Sequence, residues 1–567
     1  MDSSLIGSRI TWIALSLAGL SLARCTLEKL PDGCEGTLTC SVGGSGGSAG
    51  GGGDTDRGGA QSTGGIAGSG SEGGDTASGG EGGVNATGGE GGEGGASNIC
   101  DTSKSPSVEA CVATDGHAVF VAPTGSDEAD GTQLTPVKTI TQALAVAASS
   151  GKVVIACNGT FDEHVSITAG ARIYGGFACP GEKSPWTYQA GKRALIAPST
   201  AGLALEVRNV ADPVIMQDME FDSVDATAAG ESSIAAIVES SPNVALARLR
   251  IVAGRGAAGV DGVPGAKGAD GFEVSGQQQG APAACTGTAP GQFGGTWLEA
   301  SDCGSRGGPG GPSSRGVSGS DGTSGVPQAN VVVPEDPSDL DNGGPKGPEG
   351  GDGKPGAAGL PGTSGQSLAD QGKFAATGFT PAAAAGSGTD GFPGQGGGGG
   401  GASNATGTCI GASGGAGGMG GCGGKAGTGG AGGGASIALI SWSSNVTLDS
   451  CELIASDGGA GGKGGDGGLG GLGKAGAVGG AAFFDSTNSV GKGGTGGSGG
   501  NGGTGGPGAG GNGGPSLALV IHGEAPLKLK TSLTPGRGGV AGPGGAASSI
   551  AGESGKAGTA AAQLSVP

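Results

Sequence analysis

Aromatic residues are scarce in this 567-residue chain, at 3% of the sequence. So small a share cannot fill a globular core over the whole length, so much of the chain must lie outside a packed interior. Histidine is also rare, since His117, His164 and His522 are the only three and no two have the spacing of metal ligands. We therefore expect no catalytic residue, no metal site and no cofactor.

Basic residues are outnumbered, with 29 Lys and Arg against 49 Asp and Glu and a formal charge of −20. Binding to phosphate backbones and to anionic lipid headgroups depends on clustered Lys and Arg. This charge balance excludes nucleic acid as a partner.

Long apolar runs are limited to residues 10–22, which follow Arg9 and end in Ser21-Leu22-Ala23, with small residues at the −3 and −1 positions of the expected cleavage site. This pattern is typical of a secretory signal peptide, and the run is too short to span a bilayer. Cys25 follows in a context that resembles the lipobox of bacterial lipoproteins, although Arg24 stands where that motif has a small residue. Lipidation of Cys25, with membrane anchoring, and simple cleavage after Ala23 remain alternatives.

Glycine is abundant, with 142 residues, and it divides the chain by composition. Residues 42–97 are almost wholly Gly, Ser, Ala, Thr and acidic residues, which cannot bury enough apolar surface to fold, so they predict a flexible tether. The predicted parts are a signal peptide (1–24), a Cys-containing linker (25–116), N-terminal coils with a cap (117–253), a collagen-like insertion (254–435), a further coil (436–456), a Gly-Gly-X insertion (457–515), a last coil (516–534) and a Gly/Ala-rich tail (535–567).

Regular structure is predicted from residue 117, with a helix over 139–148 and closely spaced short strands. Four motifs, at 121–126, 136–140, 159–161 and 173–177, resemble the N-terminal part of pectin-lyase-like β-helix proteins of unknown function. The resemblance implies a right-handed parallel β-helix, an all-β solenoid whose short N-terminal helix caps the first coil and whose long glycine-rich inserts form loops. It implies no activity.

An internal repeat supports the same fold, because residues 213–224, 243–253 and 445–456 align, each after another short apolar strand. A fourth copy near 517–530 fits more loosely. The alignment predicts three inward columns: Met216 with Leu246 and Leu448, Met219 with Leu249 and Cys451, and Phe221 with Ile251 and Leu453. The step from Met216 to Met219 predicts a bend between two strands, and the columns predict one narrow aliphatic interior.

The glycine-rich inserts carry a period of three, and each leaves after the same strand of its coil, which predicts that all project from one side. Residues 256–273 and 344–367 resemble collagen, which suggests a trimer. Residues 458–481 and 493–510 resemble the Gly-Gly-X tracts of mycobacterial glycine-rich (PGRS) proteins. These tracts predict left-handed polyglycine helices, loose or packed on one another, with disorder as the alternative.

Asp218, Glu220 and Asp222 alternate in sequence, which places them on the outward face of one predicted strand. Clustered carboxylates on a β-helix resemble the calcium or sugar sites of pectate lyases and polygalacturonases. The repeat offers a structural explanation, since Arg248 would lie beside Asp218, and Arg250 between Glu220 and Glu452, in a ladder of opposite charges. We favour the ladder.

The 12 cysteines suggest disulfides in an exported chain. Neighbours in sequence give five candidate pairs: Cys34 with Cys40, Cys100 with Cys111, Cys157 with Cys179, Cys285 with Cys303, and Cys409 with Cys422. Cys451 is expected in the interior as a small apolar group, which leaves Cys25 as the candidate for lipidation.

These observations predict a non-enzymatic protein, exported to the cell envelope or the extracellular space, in which a β-helix displays glycine-rich loops for adhesion or architecture. Its surface, matrix or polysaccharide ligand is unknown. The alternative is a carbohydrate-active enzyme, a polysaccharide lyase or glycoside hydrolase, that uses the acidic cluster.

Overall fold

The computed structural model describes residues 100–179, 185–297 and 302–567. Within these ranges the chain forms one α-helix, α1 (Ile140–Ser150), and three short 3-10 helices (Ala110–Ala113, Gly276–Gln278 and Pro337–Leu340). The strands, in chain order, are β1 (Ala118–Val121), β2 (Val153–Cys157), β3 (Thr160–Phe161), β4 (Val165–Ile167), β5 (Ala171–Ala178), β6 (Thr187–Tyr188), β7 (Ala194–Ile196), β8 (Leu205–Arg208), β9 (Val214–Gln217), β10 (Met219–Asp222), β11 (Ser233–Glu239), β12 (Val244–Ala247), β13 (Arg250–Ala253), β14 (Gly291–Gln292), β15 (Ser313–Ser314), β16 (Gly372–Ala375), β17 (Gly378–Pro381), β18 (Ser436–Trp442), β19 (Val446–Asp449), β20 (Glu452–Ala455), β21 (Phe483–Phe484), β22 (Ser489–Val490), β23 (Ser516–His522), β24 (Leu527–Leu529), β25 (Ser532–Thr534), β26 (Ala546–Ala547), β27 (Ile550–Ala551) and β28 (Ala560–Val566).

Three sheets of parallel strands form the scaffold, and the chain visits them in a fixed order. Sheet A contains β1, β2, β5, β9, β12, β19 and β24, with β6 added antiparallel to β5. Sheet B contains β3, β7, β10, β13, β20 and β25, and sheet C contains β4, β8, β11, β18, β23 and β28. From β2 onward, the chain adds one strand to sheet A, then one to sheet B and then one to sheet C, and repeats this order. We call each such set of three strands a course. The predicted all-β class agrees with this arrangement.

The predicted inward columns are present as registered strand pairs. Leu246 pairs with Met216 on one side and with Leu448 on the other, and all three are buried. The Phe221 column with Ile251 and Leu453 is in register in the same way. Met219, Leu249 and Cys451 join the same buried cluster. A repeated apolar residue therefore marks the interior of each course.

The predicted bend between Met216 and Met219 falls at Asp218, the single residue between β9 and β10. Its φ is +57°, in the left-handed region, and the equivalent corner residues of later courses share this conformation: Arg248, Ser450 and Lys530. Asp218 therefore does not lie on the strand that carries Glu220 and Asp222. Its predicted position on a common outward face was wrong, because the corner turns the backbone out of the strand conformation.

The N-terminal end of the stack is covered by α1. Its first residue is capped by Thr139, whose hydroxyl accepts from Gln142 N at 3.1 Å, and it ends at Gly151 with φ +68°. The side chains of Ile140, Ala143 and Ala147 pack into the interior cluster. The helix therefore shields the first course from water.

The predicted columns share one interior cluster, but the outer faces of sheets A and C are also covered by apolar side chains. On sheet C, Ile237, Ile440 and Val520 lie in register and form a second buried cluster. Phe374 and Phe379, from the β16–β17 hairpin of the first insert, pack against it. A third cluster on sheet A includes Phe120 and Phe177. Strands buried on both faces lose the polar alternation that would mark one face as exposed.

Each glycine-rich insert leaves a strand of sheet B and returns to a strand of sheet C. The first lies between β13 and β18, the second between β20 and β23, and the third between β25 and β28. All three therefore start from the same corner of the scaffold.

Candidate functional site

The inserts are packed segments joined by backbone hydrogen bonds at every third residue. The amides of Gly256, Gly259 and Gly262 donate to the carbonyls of Asp457, Ala460 and Lys463 at 2.7–3.0 Å, and the series continues along both segments. A repeat of three residues per turn is the geometry of polyproline-type helices. The sequence left loose and packed glycine-rich helices as alternatives. In the described inserts the segments are packed on one another.

We use the name glycine bundle for the eight segments in which this bonding is most regular. They are segment 1 (256–271), segment 2 (350–365), segment 3 (385–401), segment 4 (414–434), segment 5 (458–480), segment 6 (493–514), segment 7 (536–545) and segment 8 (552–558). Segment 6 donates to segments 3, 5 and 8 and accepts from segments 2, 4 and 7. It therefore has six bonded neighbours, some parallel to it and some antiparallel.

Glycine is required where the segments touch. A Cβ built on Gly465 would overlap the carbonyl oxygen of Val263, and one built on Gly500 would overlap that of Ala357. The third residue of the triplet faces outward in the outer part of the bundle, as do Lys463, Leu469 and Leu472, whereas in the central segments it is buried, as are Ala416, Met419 and Ala509. At about 3.1 Å per residue, successive outward side chains of one segment lie roughly 9 Å apart in a straight row. The outer segments of the bundle therefore present regularly spaced rows of side chains to solvent.

The two collagen-like runs belong to this bundle. Glycine amides in both runs donate to carbonyls of the same chain, for example Gly265 to Asp466 and Gly356 to Ser498. A collagen triple helix uses such glycine amides between chains. Because these donors are already bonded within one chain, the bundle does not depend on a trimer.

The acidic residues predicted from the sequence lie in a charged network on the outer face of sheet B. The Arg250 guanidinium binds the Glu220 carboxylate, and its Nε lies 3.9 Å from Glu452 Oε2. Arg193, one further member, donates to Glu452 at 2.8 Å. Sequence comparison of the repeats found the ladder but missed Arg193, which precedes β7 and reaches Glu452 across several strands.

Asp218 is a structural anchor at the corner of sheets A and B. It is only 3% exposed, and Arg248 donates to both of its oxygens, at 2.8 and 2.7 Å. The Tyr188 hydroxyl donates to Oδ2 at 3.1 Å. Burial raises the pKa of Tyr188, and the adjacent Asp218 charge raises it further. With both oxygens engaged, Asp218 is not free to bind a metal ion or to attack a substrate.

Asp222 is the least satisfied carboxyl of the network. Burial and then the Glu220 charge raise the pKa of Asp222 to about 6, although Arg250 opposes the shift. Arg250 Nη1 is 3.9 Å from Oδ1, and this oxygen has no hydrogen-bond partner among the described residues. A carboxyl whose pKa is raised towards neutrality is a candidate for general acid chemistry.

Metal ligands are not clustered in the described part of the chain, where no group of three or more His, Cys, Asp or Glu residues has suitable geometry. His164 lies within hydrogen-bonding distance of the Leu203 carbonyl and the Thr200 hydroxyl, at 2.8 and 3.0 Å. The His522 ring stacks on Trp442 with 4.0 Å between centroids. Both rings have packing partners on the scaffold.

Four disulfides are present in the part of the chain that the structure describes. Cys100–Cys111 and Cys157–Cys179 join the neighbours that the sequence predicted. The other two correct the predicted pairing, because Cys285 bonds Cys409 and Cys303 bonds Cys422. These bonds link parts of the first insert that are 124 and 119 residues apart, which the packing of the bundle brings together. Disulfides of this number indicate an exported or extracellular protein.

Three other predicted cysteine sites, Cys25, Cys34 and Cys40, lie outside the described residues. Cys451 is free and 1% exposed, and burial raises the pKa of its thiol. It fills an interior column, as the repeat predicted.

A cleft of about 880 Å³ lies between α1 and the neighbouring strands. Its cations are already bonded, since Lys152 donates to the Asp115 carbonyl and Arg172 to that of Thr102. Asp212 is the single carboxyl among its lining residues. The cleft therefore lacks a pair of acidic groups, and the predicted acidic cluster lies elsewhere.

Residues 123–218 match a family described as "Protein of unknown function (DUF1565)", which is associated with parallel β-helix folds. The match covers α1 and the strands up to the Asp218 corner. No curated protein and no solved structure matches the chain. A search of the described helices finds none that is long and apolar enough to cross a membrane.

Proposed function

We propose that this protein is a non-enzymatic structural or adhesive component of a bacterial cell envelope, in which a right-handed parallel β-helix carries the glycine bundle outward. The observation that carries the proposal is the departure of all three inserts from one corner into a single bonded bundle. In such a bundle most residues form an extended, hydrogen-bonded surface, which suits a structural or adhesive role better than catalysis.

The scaffold is a β-helix in this proposal because three parallel sheets are visited in a constant order. Right-handedness follows from the strong preference of parallel crossover connections for that hand. The similarity of residues 123–218 to a family associated with parallel β-helices supports the same fold. In this proposal the Gly-Gly-X segments, which resemble mycobacterial PGRS tracts, form the array that the scaffold displays.

Export is supported by the disulfides, and the predicted signal peptide supplies a route. In this proposal Cys25 carries a lipid anchor, and residues 42–97 tether the scaffold to the membrane. Mass spectrometry of the mature N-terminus distinguishes a diacylglyceryl-Cys25 from a free Arg24. A mature chain that begins at Arg24 leaves a secreted form and removes the anchor.

Surface exposure and architecture are tested together on intact cells. A membrane-impermeant biotin reagent should label the lysines of the bundle, such as Lys463, before lysis. Cells that express Gly465→Val should export the protein but lose its contribution to adhesion to abiotic surfaces, while Leu469→Ala cells should retain it. Labelling only after lysis, or equal adhesion of both strains, contradicts the proposal.

A carbohydrate-active enzyme is the second candidate, and the raised pKa of Asp222 beside Glu220 favours it. If Asp222 is a general acid, Asp222→Asn should abolish release of reducing ends from acidic or neutral polysaccharides. Glu452→Gln, which changes the ladder without touching Asp222, is the matched control. Absence of cleavage by the native protein between pH 4 and 8 removes this candidate.

A further inference from the structure

The cleft beside α1 reaches the apolar interior of the scaffold. Ala147, Val154 and Ile167 line it, and all three belong to the interior cluster. Leu144 and Ala171 also line the cleft, and they are partly buried against the same cluster. The volume of about 880 Å³ lies within the range of roughly 300–1,000 Å³ that is usual for small-molecule sites. The cleft therefore offers an apolar surface large enough for a ligand.

Two cations border the same cleft. Lys152 immediately precedes β2, and Arg172 lies in β5, the neighbouring strand of sheet A. Lys152 donates to the carbonyl of Asp115 at 2.7 Å, and Arg172 donates to the carbonyl of Thr102. These neutral carbonyls hold the two side chains in place but do not neutralise their charges. Within the described residues, neither cation forms an ion pair with a carboxylate.

This lack of an acidic partner distinguishes Arg172 from the arginines of the neighbouring courses. The four other arginines from β5 to β13 are each paired with a carboxylate: Arg193 with Glu452, Arg208 with Glu239, Arg248 with Asp218 and Arg250 with Glu220. The cleft instead has two cations and a single lining carboxyl, that of Asp212, in a chain whose formal charge is −20. A local excess of positive charge in so acidic a protein favours an anionic ligand.

We propose that this cleft binds a free long-chain carboxylate, with its carboxylate at Lys152 and Arg172 and its alkyl chain along the apolar wall. The guanidinium and ammonium groups supply charge-assisted donors for the head, and burial of the chain supplies the apolar contribution. An acidic sugar fits less well, because its ring hydroxyls would face Leu144, Val154 and Ile167, which offer them no side-chain partner.

The ligand is a single amphiphile in solution rather than a lipid of an anionic bilayer, because the net charge of −20 opposes approach to such a surface. The site lies on the scaffold and not on the glycine bundle. It is therefore independent of the structural or adhesive role proposed above.

Calorimetric titration of the mature protein, freed of bound lipid on a hydrophobic resin, tests the proposal with octanoate, decanoate and dodecanoate below their micelle concentrations. Each methylene group that leaves water should tighten binding about fourfold. The affinity should therefore rise at least tenfold from octanoate to dodecanoate. Equal affinities would indicate an anion site without an apolar wall, and either that result or the absence of saturable binding overturns the proposal.

The charge requirement is tested with Lys152→Met/Arg172→Met, which should bind dodecanoate at least tenfold more weakly. Lys138→Met is the matched control, because this exposed lysine precedes α1 but does not line the cleft. It should bind as the native protein does. Equal weakening in the two variants would assign the effect to overall charge and overturns the proposal.

The position of the alkyl chain is tested without a change of charge, which also decides the matter if the double variant does not fold. Ala148→Trp places a large side chain in the cleft, whereas Ser149→Trp places it on the exposed part of the same helix, outside the lining residues. Only the first should weaken dodecanoate binding at least tenfold. Unchanged binding in Ala148→Trp, or sedimentation with phosphatidylglycerol vesicles in place of dodecanoate binding, overturns the proposal.

Discussion

Lys528 donates a hydrogen bond to Gln563 across the last course of the scaffold, with 2.5 Å between Nζ and Oε1. Lys528 is in register with Leu448, and Gln563 is in register with Leu519. Both polar residues therefore occupy columns that are apolar in the preceding course. While α1 covers one end of the stack, this pair makes the other end compatible with water, as terminal repeats of stacked folds must be.

Replacing this pair by Lys528→Leu/Gln563→Leu should make the protein self-associate. The variant would present an apolar surface flanked by the open edges of β24, β25 and β28, which invites pairing with a second molecule. Size-exclusion chromatography with light scattering should then give a mass above that of the monomer. Lys556→Leu, an exposed lysine of the bundle, is the control, and a double variant that stays monomeric contradicts the expectation.

Gly465→Ala should destabilise the protein by about 1–3 kcal/mol, the usual range for overpacking a filled site. The new Cβ would overlap the Val263 carbonyl oxygen and force segments 1 and 5 apart. Leu469→Ala, at a position that is 63% exposed on the same segment, should have little effect. Calorimetry of both variants measures the difference. Equal unfolding temperatures would mean that the segments are not in contact.

Asp222→Asn should raise the unfolding temperature by a few degrees at pH 7. The pKa of Asp222 is raised from 3.8 to about 6, so its contribution to stability is fully present below pH 3.8 and is lost as the pH rises through 6. At pH 7 the ionised carboxylate is unfavourable, and a neutral amide removes that cost. Thermal melts at pH 4 and pH 7 test this, because the benefit should vanish at pH 4. A benefit that does not depend on pH would point to another cause.

Acid should loosen the glycine bundle by protonating carboxylates that accept hydrogen bonds from neighbouring segments, such as those of Asp270 and Asp466. The pKa of Asp270 is lowered by hydrogen bonds from Lys267 and Leu472 N, and that of Asp466 by hydrogen bonds from Ala546 N and Lys463. A lowered folded-state pKa gives stability that is present above the ordinary value of 3.8 and is lost as the pH falls through the folded-state value.

When the pH falls below 3.8, the unfolding temperature should therefore decrease. The decrease should be smaller in Asp270→Asn/Asp466→Asn than in the native protein. Glu273→Gln serves as the control for loss of a surface charge. Identical acid profiles of the native and double-variant proteins would assign acid sensitivity to other groups.

The interior of the scaffold was predictable because apolar residues repeat in it. Met216, Leu246 and Leu448 stand at equivalent places of a repeat, so comparison of three stretches of sequence identified a column. The corner at Asp218 was not predictable as a left-handed residue, because its counterparts Arg248, Ser450 and Lys530 have no common preference for that conformation.

The bundle was predictable in its period but not in its connections. Triplets identify glycine-rich helices, whereas the partner of each segment depends on contacts at varied and often large separations, such as that of Gly256 with Asp457. The bonding of Cys285 to Cys409, rather than to the nearer Cys303, is one result.

Because each insert begins on sheet B and returns to the adjoining sheet C within the same course, its two ends are anchored at fixed points whatever its length. The 182 residues between β13 and β18 and the 25 residues between β25 and β28 are accommodated by the same corner. Whole triplets can therefore be added to or deleted from an insert, which lengthens or shortens the bundle, without a change in the three sheets that support it.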